Sequence, residues 1–108
     1  MTDCLFCKII AKELPSTIIH ENDKFLIIKD IKPLAPVHLL VITKKHIPSV
    51  DHLQESDKEL IGEMILTAKQ IARDQELGGV GYKLGFNVGE GGGQLIPHLH
   101  LHLMGGWQ

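Results

Sequence analysis

An alternation of histidine and leucine near the C-terminus, from His98 to Leu103, constrains the fold more than any other feature of the sequence. Because successive side chains of a β-strand point to opposite faces of the sheet, the pattern predicts a strand with histidines on one face and leucines on the other. The leucines would pack against a core. The histidines would lie roughly 6.5–7 Å from one another, too far apart for all three to bind one metal ion but suited to lining one groove.

Two other interpretations also place these histidines on one face of a strand: a solvated surface and an adventitious metal-binding patch. A histidine that is buried only for packing still needs a hydrogen-bond partner, so three of them together are costly to keep without a function. The alternation therefore favours a groove that binds a ligand.

The rest of the sequence supplies neighbours for this strand. Runs rich in β-branched residues are typical of strands, and Asn22-Asp23 between two such runs predicts a tight hairpin. A short helical pattern near the N-terminus ends before Pro15. The predicted elements are a short helix within Cys4 to Lys12 and strands at Ser16 to Glu21, Lys24 to Asp30, Val37 to Thr43, Tyr82 to Val88 and Pro97 to Met104.

One long amphipathic helix is predicted in the middle of the chain. Ser56 and Glu59 have the spacing of a capping box at its start, and Gly78-Gly79 is expected to end it. Its apolar residues form a single stripe that would face the sheet. The stripe consists of Leu60, Ile61, Met64, Ile65, Ala68, Ile71 and Ala72.

These elements predict an α+β fold in one domain spanning residues 1–108, with an antiparallel sheet of about five strands, one long helix and one short helix. The exposed edges of such a sheet favour dimerisation. Apolar residues make up 44% of the chain, which is enough for a core. A domain of this size buries only part of its surface, so a metal ion or a second subunit would add useful stability.

The charge and the first residues exclude several classes of protein. The formal net charge of −2 gives no electrostatic attraction to a nucleic-acid backbone. Met1 to Cys4 lack the features of a signal peptide, and the longest strongly apolar stretches, such as Val37 to Ile42, are far too short to span a membrane. We therefore expect a cytoplasmic protein that binds neither nucleic acid nor membranes.

The cysteines Cys4 and Cys7 have C-x-x-C spacing. In a cytosolic chain this spacing is typical of a metal site or a redox pair, and two reduced buried cysteines are the third possibility. A redox role is the weaker interpretation, because the pair does not follow a strand in a thioredoxin-like βαβ unit.

The segment from His98 to Met104 resembles the signature of the histidine-triad (HIT) superfamily of nucleotide hydrolases and transferases, and nearly the whole chain is similar to its Hint branch. Other segments that carry the resemblance are Cys4 to Ile10, Asp30-Ile31 followed by Pro36 and His38, Lys44 to Ile47, and Asn87 to Gly106. The resemblance implies a homodimer with a sheet continuous across the interface. It also implies hydrolysis of purine nucleoside phosphoramidates.

The resemblance further implies three catalytic residues. His100, the middle histidine, would attack the α-phosphorus and form a nucleotidyl-histidine that water then cleaves. A neutral imidazole with one nitrogen fixed by a backbone carbonyl suits this role. His102 would contact the phosphate and the leaving group, and His38 would support the site from the next strand.

The implied substrate-binding residues include Asn87 and Gln94 around the phosphate and Asp30 on the ribose hydroxyls. An apolar slot would take the purine. Without the resemblance, ordinary core packing would be the first interpretation of the slot's aliphatic residues, and a turn before Pro33 that of Asp30. The slot comprises Leu5, Phe6, Ile9, Ile28 and Ile31.

In part of this superfamily the C-x-x-C pair joins two histidines to bind zinc. The matching residues here are Cys4, Cys7, His46 and His98. Two thiolates and two imidazoles form a closed tetrahedral site, which is typical of structural rather than catalytic zinc.

Two departures from the branch concern the leaving group. Leu95 stands where many relatives have a small hydroxyl residue that donates to the phosphate, and the longer C-terminal tail of many relatives does not follow Trp107. They keep open a dinucleoside polyphosphate hydrolase or a nucleotidyl transferase of the same superfamily. A non-catalytic scaffold that binds nucleotide or zinc is a further alternative, which the intact triad disfavours.

Overall fold

The computed structural model describes residues 4–107 and has a five-stranded antiparallel sheet in the order β1-β2-β3-β5-β4. The predicted α+β fold, with one long and one short helix, is confirmed. The elements are α1 Leu5–Ile10, β1 Ile18–Glu21, β2 Phe25–Lys29, β3 Val37–Thr43, α2 Lys58–Asp74, β4 Tyr82–Gly85 and β5 His100–Gly105, with short 3-10 turns at Val50–His52, Glu55–Asp57 and Glu90–Gly92.

The sheet separates two apolar clusters, as the alternation in its interior strand β5 requires. Leu99, Leu101 and Leu103 pack with α2 in the larger cluster. The smaller cluster lies on the other face and includes Phe6 of α1, whose ring contacts the ring of His100. The leucine face therefore belongs to the larger cluster, and the histidine face is the one on which α1 packs. Within residues 4–107, no helix has both the length and the apolar character needed to cross a membrane.

Strand register places the histidines next to one another. In the β3–β5 ladder, Leu40 lies opposite His102 and Ile42 lies opposite His100, so that His38 is the diagonal neighbour of His102 on the same face. The predicted strand at Pro97 to Met104 was too early at its start, because β5 begins at His100 and the residues before it leave the ladder.

The predicted capping box of α2 was wrong. Ser56 lies inside the preceding 3-10 turn, and the carboxylate that caps this region belongs to Asp57, which accepts the Gln54 amide at 2.9 Å and the Lys45 ammonium at 2.7 Å. Asp57 is buried, and the neighbouring Lys45 lowers its pKa below the ordinary value.

The predicted glycine stop of α2 was also wrong. The helix ends at Asp74, and Glu76 follows in the left-handed conformation with φ 62°. The Leu77 amide donates to the Ala72 carbonyl at 2.8 Å and the Glu76 amide donates to the Arg73 carbonyl at 2.9 Å, which is a Schellman motif.

The predicted apolar stripe of α2 is largely buried against the sheet. Its exception is Ile65, which is 39% exposed. Leu66, the next residue along the helix, is more exposed still. The buried members are Met64, Ala68, Ile71 and Ala72, and Leu60 and Ile61 are partly buried.

Candidate active site and metal centre

A cavity of about 570 Å³ opens on the histidine face of the sheet, between α1, the β2–β3 loop and the connection before β5. It brings together nearly all of the predicted catalytic and substrate-binding side chains, including every member of the apolar slot. The predicted residues that line it are Leu5, Phe6, Ile9, Ile28, Asp30, Ile31, His38, Asn87, His100 and His102.

His100 lies buried at this cavity, and its protonation is fixed by the main chain. Its Nδ1–H donates to the His98 carbonyl oxygen at 2.7 Å, so the lone pair of the neutral ring is on Nε2. Burial lowers the pKa of His100 below its ordinary value. The ring is therefore neutral near pH 7 and has one free nitrogen, which are the properties of a nucleophile.

His38 and His102 form a directional hydrogen-bond chain that begins at a backbone amide. The Leu34 N–H donates to His38 Nδ1 at 3.0 Å, so the proton of neutral His38 is on Nε2. This proton is donated to His102 Nδ1 at 2.9 Å, which leaves neutral His102 with its own proton on Nε2. Burial, with the nearby rings of His100 and His38, lowers the pKa of His102 to about 4. His102 is therefore a neutral hydrogen-bond donor.

Asp30 lies in a turn and also lines the cavity. One carboxylate oxygen accepts the Lys32 amide at 2.8 Å, which is the geometry of an Asx turn. The other oxygen lies 3.4 Å from His38 Nε2, and the residue lines the cavity. The turn thus holds a carboxylate at the edge of the site.

The glycine-rich connection before β5 is organised by Gln94. The side-chain oxygen of Gln94 accepts the Gly89 amide at 2.8 Å, and its nitrogen donates to the carbonyls of Pro48 at 2.7 Å and Ile96 at 2.9 Å. Gln94 does not line the cavity, whereas Asn87 and Gly93 of the same connection do. The predicted phosphate residue Gln94 therefore holds the loop that carries Asn87.

The apolar slot has a buried base and an exposed mouth. Phe6, Ile9 and Ile28 are buried, whereas Leu5 is 42% and Ile31 is 88% exposed. The mouth also contains two exposed leucines, Leu34 and Leu95. Sequence reasoning did not find Leu34, because an isolated leucine in a proline-rich loop gives no periodic signal.

The four predicted metal ligands converge at the start of α1. Nδ1 of His98 lies 3.2 Å from Cys4 Sγ, 3.6 Å from Cys7 Sγ and 3.1 Å from Nδ1 of His46. Cys7 Sγ lies 3.3 Å from Nδ1 of His46. The four atoms all lie within 4.8 Å of one another, so the cluster could hold a metal ion.

The donor set fits tetrahedral zinc. Bond lengths of about 2.3 Å to sulfur and 2.0–2.1 Å to nitrogen separate tetrahedral ligand atoms by roughly 3.3–3.8 Å, close to the separations found here. The Thr43 carbonyl accepts the Nε2–H of His98 at 2.6 Å, which leaves the Nδ1 lone pair directed to the cluster. The Thr43 carbonyl thus selects the His98 tautomer that a metal ligand requires.

A second group, Asp30, His38 and His102, also places three potential ligand atoms close together. His38 lacks a lone pair for a metal, because the Leu34 amide occupies Nδ1 and the proton of the neutral ring is on Nε2. This group is therefore suited to hydrogen bonding rather than to metal binding.

Fold and site together define a class of small α+β proteins in which a buried histidine with one free nitrogen faces a largely apolar cavity. The sequence matches the family described as "Scavenger mRNA decapping enzyme C-term binding" over residues 3–106. It is 44% identical to Protein HitA of Neisseria gonorrhoeae over 105 residues, which are 97% of each chain. The chain belongs to the histidine-triad superfamily, as the triad predicts.

Solved structures agree with this assignment. A HIT family hydrolase from Legionella pneumophila Philadelphia 1 is 46% identical, with a TM-score of 0.96 over 98% of this chain and 95% of that chain. A Zn-bound histidine triad family protein from Mycobacterium smegmatis is 29% identical, with a TM-score of 0.80 over 95% of this chain and 74% of that one.

Proposed function

We propose that the protein is a nucleotide hydrolase that cleaves the bond between the α-phosphate of a purine nucleotide and an amine, as in the Hint branch. The observation that carries the proposal is the state of His100, which is buried at the cavity with Nδ1–H fixed by the His98 carbonyl and Nε2 free. The similarity to a protein described as a HIT family hydrolase supports a hydrolytic reaction.

The reaction proceeds in two displacements. Nε2 of His100 attacks the α-phosphorus while the bridging nitrogen takes a proton from solvent, the phosphorus–nitrogen bond breaks, and the amine leaves with the bonding electron pair. Water then attacks the nucleotidyl-histidine, the bond between phosphorus and Nε2 breaks, and a proton of that water returns to solvent, which releases the nucleoside monophosphate and regenerates neutral His100. His102, which carries its proton on Nε2, donates a hydrogen bond to the phosphate on the leaving-group side, and His38 holds His102 in that state.

The remaining residues bind and orient the nucleotide. Asp30 accepts the ribose hydroxyls through the carboxylate that the turn holds at the cavity. Asn87 donates to the phosphate from the glycine-rich connection, and Gln94 positions it by fixing that connection. The purine fills the apolar slot between α1 and β2, because such a slot with few polar groups suits a planar base.

Zinc is the proposed metal, held by Cys4, Cys7, His46 and His98. The donor chemistry supports it, as does the Zn-bound relative. With four protein ligands the site leaves no open position, so zinc would supply folding stability rather than Lewis-acid chemistry. These four ligands would tie α1, which lines the cavity, to the segment that precedes His100.

Hydrolysis of adenosine 5′-phosphoramidate by the purified protein tests the proposal, with the His100→Asn variant as its control. Asparagine is close in size to the proximal part of histidine and lacks the nucleophilic nitrogen. We expect turnover by the wild type and a loss of at least about 10⁴-fold in the variant. Equal turnover by both proteins would contradict a reaction through His100.

A dinucleoside polyphosphate hydrolase of the same superfamily is the second candidate, and Leu95 favours it. This side chain is 91% exposed at the cavity and offers no hydrogen bond to a leaving group or phosphate. Cleavage of diadenosine polyphosphates by the wild type, without turnover of the phosphoramidate, would support this candidate over the first.

A further inference from the structure

Thr43, the last residue of β3, is fully buried although it is polar. Its carbonyl oxygen accepts the Nε2–H of His98 at 2.6 Å, and its hydroxyl donates to the Lys45 carbonyl at 2.9 Å. Lys45 immediately precedes His46. One residue therefore contacts both chain segments that carry the histidine half of the metal cluster.

The segment between Thr43 and His46 is held by main-chain and side-chain contacts. The Lys44 amide donates to the Lys24 carbonyl at 2.8 Å, and the Lys45 carbonyl accepts the Thr43 hydroxyl. The Lys44 and Lys45 ammonium groups also pair with Glu21 and with the buried Asp57, but they do so from the ends of long side chains. The buried hydroxyl of Thr43 is therefore a side-chain restraint that acts directly on the peptide next to His46.

The His98 segment is held in the same way. The Leu99 amide donates to the Ile47 carbonyl at 2.6 Å, which joins the two histidine segments directly. The Thr43 carbonyl then orients the His98 ring between them. The two Nδ1 atoms lie 3.1 Å apart, and the hydrogen bonds that hold their two chain segments come from Thr43, Ile47 and Leu99 rather than from the cysteines.

We propose that Thr43 is a positioning residue that forms the histidine half of the metal centre before the metal binds. The proposal rests on the zinc site of the proposed function. The Thr43 carbonyl bonds a ligand ring directly, and removing a contact of that kind typically changes metal affinity by about 10–100-fold. The Thr43 hydroxyl acts one step further out, through the peptide next to His46. Cys4 and Cys7, at the start of α1, complete the set of ligands.

The test uses two substitutions of Thr43 and one control. Thr43→Val removes the hydroxyl and keeps the shape and the carbonyl, whereas Thr43→Ser keeps the hydroxyl. Val41→Ala removes buried volume from the same face of β3, and the valine side chain has no group that could form a hydrogen bond to either histidine segment. Zinc affinity is measured by competition with a chelator, and the geometry of the centre by the visible absorption of the Co²⁺-loaded protein.

We expect Thr43→Val to bind zinc about 2–10-fold more weakly, as the loss of one buried hydrogen bond implies, and to alter the Co²⁺ spectrum. We expect Thr43→Ser and Val41→Ala to match the wild type. Thr43→Ala gives the same comparison if the valine variant does not fold. Wild-type affinity without the hydroxyl, or an equal loss in Val41→Ala, would overturn the role of Thr43. A wild-type protein that binds neither metal would overturn the zinc centre as well, while the phosphoramidate assay tests the hydrolase separately.

Discussion

At the scale of single residues, main-chain groups decide what each histidine can do. The His98 carbonyl frees Nε2 of His100, the Thr43 carbonyl frees Nδ1 of His98, and the Leu34 amide makes His38 a donor to His102. Three rings of one residue type thereby present a free Nε2, a free Nδ1 beside the cysteines and an N–H donor, which suit the proposed nucleophile, metal ligand and hydrogen-bond donor. The resemblance predicts these side chains from the motif. A backbone carbonyl as the partner of His100 is expected for a nucleophile, but which carbonyl it is cannot be predicted, because a backbone carbonyl has no sequence signature.

The low pKa of His102 predicts how stability changes with pH. Its value is about 4 in the folded protein and 6.5 in the reference state, so the unfolded chain binds a proton first as the pH falls. The stability contributed by neutral His102 is complete above about pH 6.5 and is lost progressively toward pH 4. We expect the unfolding free energy of the wild type to fall more steeply over this range than that of His102→Gln. Urea unfolding at each pH measures the difference, and parallel curves would contradict it.

At the scale of elements, the interior of each element is predicted better than its ends. Strand β3 has the predicted bounds, Val37–Thr43, because its whole length is apolar or buried. The predicted start and end of α2 were wrong. At the start, Asp57 accepts a hydrogen bond from Lys45, which lies outside the helix. At the end, Glu76 adopts a conformation that glycine usually takes. The periodicity of a sequence does not indicate contacts between elements or strained backbone conformations, so it does not fix where an element begins and ends.

The left-handed conformation of Glu76 predicts a stabilising substitution. A residue with a Cβ atom is strained at a φ of 62°, whereas glycine is not. We expect Glu76→Gly to raise the unfolding free energy by about 0.5–1 kcal/mol. Lys69→Gly, at an exposed position inside α2, is the control and should lower it by about 1 kcal/mol. Chemical denaturation measures both, and a destabilised Glu76→Gly would show that the Glu76 side chain makes a contribution greater than the strain.

At the scale of the whole molecule, the sheet has two edge strands. Among the described residues β1 pairs with β2 alone and β4 pairs with β5 alone, and α2 presents the exposed side chains of Ile65 and Leu66. An edge that is left open invites pairing with another chain. The histidine–leucine alternation indicated the class of fold from the sequence, but the position of β5 between β3 and β4 required the structure.

These open edges lead us to predict a homodimer in which an edge strand of one protomer pairs with its partner, so that the sheet is continuous across the interface. Light scattering after size-exclusion chromatography should give about twice the mass of the 12.0 kDa chain at all protein concentrations tested. A mass near that of one chain throughout the concentration series would contradict the prediction.

The central claim is that the reaction passes through a covalent bond to His100, and the stereochemistry at phosphorus tests it most directly. The substrate is an adenosine phosphoramidate made chiral at the α-phosphorus with sulfur and hydrolysed in isotopically labelled water. Each in-line displacement inverts the phosphorus, so two successive displacements restore the original configuration. We predict net retention with the wild type and no turnover with His100→Asn. Net inversion would show a single attack by water and would contradict the covalent intermediate.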